Sequence, residues 1–179
     1  MRKNLSRLLP LLIGMALLLS VTAACTPAAE EPETPTDEAP SPPAEEAPTA
    51  YSAVLVAAEG VTSSATGAAM VEVGSDSIVF SVNVEALSNI TMAHIHIAEA
   101  AGGAGPPGVW LYTTDKAPML ISGPTTGELS AGTLDATSFV GPLEGGTMAD
   151  LMMAIEEGRA YVNVHTEAYP DGEISGFLQ

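Results

Sequence analysis

All three histidines of this chain fall in two short runs of alternating apolar and polar residues. In Ala93-His94-Ile95-His96-Ile97, strand alternation sends Ala93, Ile95 and Ile97 to one face and both histidines to the other. In Tyr161-Val162-Asn163-Val164-His165-Thr166, Val162 and Val164 share a face, opposite Tyr161, Asn163 and His165. With the valine and isoleucine faces in the core, every histidine points outward. Neighbouring strands lie about 4.8 Å apart, and alternate residues of one strand about 6.7 Å apart. If these two strands pair, the imidazoles gather in one patch and can share a Cu or Zn ion about 2 Å from each nitrogen. Met92 has the parity of His94 and His96 and is a candidate soft ligand. Asn163 and Glu173 are candidate supports around the ligands. Two other uses of the same residues stay open: imidazoles tying loop ends to backbone carbonyls, and direct contact with a partner.

Other chemistry has little support. No serine sits in a Gly-X-Ser-X-Gly setting, and no phosphate-cradling glycine motif follows a strand. Glu156 and Glu157 read as the solvated end of a helix. Met148 and Met152 read as flexible apolar packing rather than a copper-loading cluster. The −17 formal charge repels phosphate and excludes a nucleic-acid partner. The reading is a non-enzymatic binding protein. It either meets an extracellular protein or surface polymer through loops and exposed aromatics such as Trp110 or Tyr112, or holds Cu or Zn on the three histidines.

The elements that position these residues read as strands. Runs at 52–58, 66–73, 77–87, 91–98, 109–113, 127–134, 161–166 and 173–178 are separated by Gly, Pro, Ser, Asn or Asp. Gly74-Ser75-Asp76 predicts a hairpin. One helix is expected, capped by Thr147 with Asp150 three residues on, carrying Met148, Leu151, Met152 and Ile155 at helical spacing, and stopped by Gly158. The expected fold is all-β, an antiparallel Greek-key-like β-sandwich with one short helix, over residues 51–179.

Residues 1–24 read as a lipoprotein signal peptide. Arg2, Lys3 and Arg7 precede an apolar run, Leu8 to Leu19, too short to span a membrane. Val21-Thr22-Ala23-Ala24 leads to Cys25, the chain's single cysteine, which is the expected lipidation site and membrane anchor. Plain secretion with a free Cys25 thiol is the alternative. Residues 25–50 read as a disordered linker holding seven prolines and seven acids without Lys or Arg. The expected location is the cell membrane or outer membrane, facing the periplasm or exterior.

The blocks Ala93-His94-Ile95-His96, Gly105-Pro106-Pro107-Gly108-Val109 and Tyr161 to Ile174 resemble, in order and spacing, the signature blocks of the CHRD (chordin-type) domain family. The likeness covers essentially all of Tyr51 to Leu178 and implies a non-catalytic exported binding domain. Two positions depart from the family pattern: Ser175 stands in place of the usual Arg, and the loop after His96 opens Ile97-Ala98-Glu99 in place of the usual Gly. The His-X-His run is also locally similar to the copper-binding strand of Cu/Zn superoxide dismutase, but three histidines cannot build a paired Cu/Zn centre.

Overall fold

The computed structural model describes residues 47–113 and 116–179. The expected signal peptide, the Cys25 lipidation site and the linker as far as residue 46 lie outside the described residues. The folded part begins slightly earlier than expected, since β1 (Thr49–Ala57) already includes Thr49 and Ala50.

Period-two patterning explains the strands directly. In β1, Tyr51, Ala53 and Leu55 are buried while Ser52, Val54 and Val56 are exposed. β2 (Thr66–Val73) buries Ala69, Val71 and Val73 and exposes Met70 and Glu72. The Gly74-Ser75-Asp76 hairpin is present: Val73 pairs with Ile78, and the Gly74 N–H donates to the Ser77 carbonyl at 2.9 Å.

Where the sequence suggested two strands, at 77–87 and 91–98, there is one 20-residue strand, β3 (Ile78–Ile97). Its buried positions run Ile78, Phe80, Val82, Val84, then Leu87, Ile90, and then Ala93, Ile95, Ile97. The inward parity therefore changes along the strand. Ala86 (φ 56°) and Asn89 (φ 53°) occupy the left-handed region at the first two changes, each acting as the extra residue of a bulge that bends the strand without ending it. The bend is held from β5 (Ile121–Leu134): the Ala86 N–H donates to Thr126 Oγ1 at 3.1 Å, and Asn89 Oδ1 accepts from the Gly123 N–H at 2.7 Å.

This bent strand sets the architecture. Its first half pairs with β2 and β5; its second half pairs with β4 (Pro107–Tyr112) and β6 (Ala160–Thr166). Because β5 follows one edge past the bend, β2 and β6 share the other. β1 and β7 (Ile174–Phe177) complete the circuit β3-β2-β1-β7-β6-β3. The strands thus form one continuous antiparallel sheet closed into a small barrel, in place of the two packed sheets expected. A strand long enough to serve both halves removes the break that would separate two sheets.

The barrel is filled by Leu55, Ile78, Leu87, Ile90, Ile95, Leu111 and Ile174, all at most 1% exposed. Burying each stabilises the fold by about 1.5–3 kcal/mol. The helix α1 (Met148–Glu156) forms as expected, with the Thr147–Asp150 capping box present and Gly158 at φ 67° beyond its end. Met148 belongs to the core cluster and Met152 packs against it, so both methionines serve as packing.

Candidate metal centre

β3 and β6 are neighbours, which answers the condition on which the histidine patch depends. In their register Met92 pairs with His165, His94 with Asn163 and His96 with Tyr161. His165 therefore sits opposite Met92, diagonal to His94 and one pair further along from His96, on the face opposite the core residues Ala93, Ile95, Val162 and Val164. The three residues each offer a nitrogen, and those nitrogens lie within 4.8 Å of one another.

The imidazoles leave the core face as expected, but they are not at the surface. His94, His96 and His165 are 2%, 7% and 4% exposed. Two segments cover the outer face of the sheet. The 98–106 loop brings the Gly105 carbonyl to 2.7 Å from His96 Nδ1, and the turn after β6 brings the Pro170 carbonyl to 2.9 Å from His165 Nδ1. Trp110 of β4 stands edge-on to His94, with ring centroids 4.2 Å apart. Alternation identifies which face a side chain takes, but a covering loop is set by tertiary packing and leaves no periodic trace.

The two carbonyls fix proton positions. A carbonyl only accepts, so His96 Nδ1 and His165 Nδ1 each carry the hydrogen and donate it. Each neutral ring then presents a bare lone pair at Nε2, and these two Nε2 atoms face one another at 3.2 Å. Nδ1 of His94 completes the group, 3.1 Å from His165 Nε2. Its own Nε2 is buried without a hydrogen-bond partner.

Protonation is disfavoured at all three rings. Burial, reinforced by the neighbouring His165 and His96, pulls His94 down to about 3. Burial pulls His96 down to about 4, against the opposing pull of the Gly105 carbonyl. Burial also lowers His165, opposed by the Pro170 carbonyl and Asp171. His96 and His165 each combine an inward lone pair with a carbonyl-anchored outer N–H, the support that suits a histidine metal ligand, whereas His94 has no such anchor. An ion bound tetrahedrally at 2.0–2.1 Å holds its nitrogens about 3.3 Å apart, close to the two separations found here.

The residues expected around the ligands divide by role. Asn163 donates from Nδ2 to the Asp171 carbonyl at 3.0 Å and so pins the turn that carries Pro170. Glu173 accepts from Ser63 Oγ and Thr166 Oγ1, both at 2.7 Å, and braces the start of that turn rather than an imidazole. Met92 is half-buried on the histidine face, opposite His165. Trp110 and Tyr112 are also half-buried, Trp110 against His94 and Tyr112 against the core, so neither stands as a free aromatic contact.

Sequence reasoning missed the two carbonyls, Trp110 as a wall, and Tyr161, whose hydroxyl bonds both the carbonyl and the N–H of Gly105 at 3.2 Å. Two glycines nearby set how closely the covering segments approach. A Cβ at Gly105 would lie 1.9 Å from the Ile97 carbonyl oxygen, and one at Gly172 (φ 121°) would lie 2.1 Å from Asn163 Oδ1. Only glycine lets these segments come so close to the strands they cover.

The fold and site define a class: a small antiparallel β-barrel domain with a buried histidine cluster between two adjacent strands and the loops above them. The family model of the CHRD domain matches residues 51–178, and the chain belongs to that family. No curated protein and no solved structure matches it.

Proposed function

We propose that this chain is an exported, lipid-anchored CHRD binding module whose ligand is a transition-metal ion, Cu or Zn, held by His94, His96 and His165 without catalysis. The supporting observation is the pair of Nε2 lone pairs facing each other at 3.2 Å. Neither carries a hydrogen to offer the other, and burial opposes the proton that would otherwise join them. A metal ion satisfies both at once. The test is to strip the purified chain with chelator, reload it, and count bound metal. One ion per chain, lost in the His94→Ala/His96→Ala/His165→Ala variant, supports the reading. Uptake unchanged in that variant refutes it. Stoichiometry is the measure because fifteen acids against Lys116 and Arg159 in residues 51–179 retain cations loosely.

A second reading, contact with an extracellular protein or surface polymer, draws on a different feature. Val54, Val56, Met70 and Val79 are 48–74% exposed on the outer face of β1, β2 and β3. An apolar stripe on a sheet face is a docking feature.

A further inference from the structure

Taking the histidine cluster as a metal site, we infer that its resident ion is cuprous copper, held by three imidazoles with no water in the coordination shell.

Charge comes first. Among the described residues the ligand group contains three histidines and no carboxylate, so its donors are all neutral and leave a bound ion its full charge. The rings are at most 7% exposed. The cost of placing an ion in a low-dielectric interior grows with the square of its charge, so a divalent ion costs about four times as much as a monovalent one. A site meant for Zn²⁺ or Cu²⁺ gains by including an Asp or Glu ligand. Of the nearby acids among the described residues, Glu173 is taken up by Ser63 and Thr166, and Asp171 is exposed and supplies no ligand atom to the group.

Coordination number points the same way. Zinc takes four ligands, the fourth being water where the protein supplies three. Cupric copper prefers tetragonal sites with open or axial positions. A water ligand needs room and further polar partners. Beside His94 the structure supplies instead the Trp110 ring, with centroids 4.2 Å apart. Cuprous copper has a filled d shell, accepts low coordination numbers and tolerates a dry, partly aromatic surround. Met92, paired with His165 on the same face, is the soft side chain nearest in register to the site, and a thioether is preferred by Cu(I) over Zn²⁺.

The experiment is a competition on the purified full-length chain in detergent. Cu(I) is titrated under anaerobic, reducing conditions against bicinchoninate. Zn²⁺ and Cu²⁺ are titrated in parallel against chelators of known affinity, and the loaded form is examined by X-ray absorption. The expected result is one Cu(I) per chain, bound at least about a hundredfold more tightly than Zn²⁺ or Cu²⁺, with a three-coordinate nitrogen shell. Zn²⁺ bound as tightly as Cu(I), or a four-coordinate shell containing oxygen, overturns the cuprous assignment while leaving the histidine site in place. The His94→Ala/His96→Ala/His165→Ala variant is titrated alongside, and its taking up every ion as well as the wild type refutes the metal reading itself, so the two failures are distinguishable.

Discussion

His96 Nε2 and His165 Nε2 approach to 3.2 Å with their lone pairs directed at each other, because both rings have given their only proton to a backbone carbonyl on the far side. This arrangement fixes tautomers in a way nuclear magnetic resonance can read. In the metal-free protein at pH 7, imidazole ¹⁵N spectra should show the hydrogen on Nδ1 of His96 and His165. Adding metal should shift their Nε2 resonances and not their Nδ1 resonances. A hydrogen on Nε2 of either ring would contradict the site geometry.

Acid should destabilise the metal-free domain over a defined window. An unfolded histidine titrates near 6.5, whereas His94 is held down at about 3 and His96 at about 4, with His165 also lowered. Above 6.5 neither state binds the protons. Below it the unfolded chain takes up protons that the fold refuses, so stability falls with pH until the folded values are reached, by at most about 1.4 kcal/mol per pH unit for each histidine. The urea midpoint should therefore drop between pH 7 and pH 5 and flatten in His96→Gln. An unchanged midpoint over that range would contradict the burial of these rings.

Gly105→Ala should strike fold and site together. The new Cβ cannot coexist with the Ile97 carbonyl at 1.9 Å, so the loop must lift and take its carbonyl away from His96. A loss of about 2–4 kcal/mol is expected, since overpacking and a lost buried hydrogen bond combine. Metal affinity should fall in the protein that remains folded. Gly102→Ala, in the same loop, meets no atom at its Cβ position and costs only the penalty of about 1–2 kcal/mol for its φ of 71°. It should lower stability but affect metal affinity far less than Gly105→Ala. Equal effects on affinity would mean the close approach at Gly105 is not what seats His96.

Ala86→Gly should stabilise the protein, against the usual direction for a strand. Ala86 is exposed and sits at φ 56°, a conformation that penalises any Cβ by about 1–2 kcal/mol. Glycine removes that penalty but brings more freedom to the unfolded chain. A net gain of up to about 1 kcal/mol in thermal or urea unfolding is expected. A clear loss would show that the bend of β3 is not made at this residue.

The core-facing residues were legible from alternation at Ala93, Ile95, Val162 and Val164, and α1 was legible from its Thr147–Asp150 cap. The single strand β3 was not. Ser88 and Asn89 look like a turn, and only pairing with β5 shows that Asn89 bends the strand while its side chain accepts from Gly123. The histidine face could be assigned but not its burial, because Gly105 and Pro170 come from loops whose path depends on barrel closure. Gly105 and Gly172 lay within the motif blocks quoted above, yet the close approaches that require glycine become visible only in three dimensions.

His94 and His165 are 71 positions apart along the chain, and the single cysteine, Cys25, lies outside residues 51–179 and offers no disulfide to join their strands. An ion gripping both turns the intervening segment into a closed ring. By the entropy of loop closure, a permanent tie of that length disfavours the unfolded chain by about 4 kcal/mol. A metal tie differs from a disulfide in being removable, and its effect grows with the logarithm of free-ion concentration once above the dissociation constant. The melting temperature of this domain would then report the metal content of its surroundings.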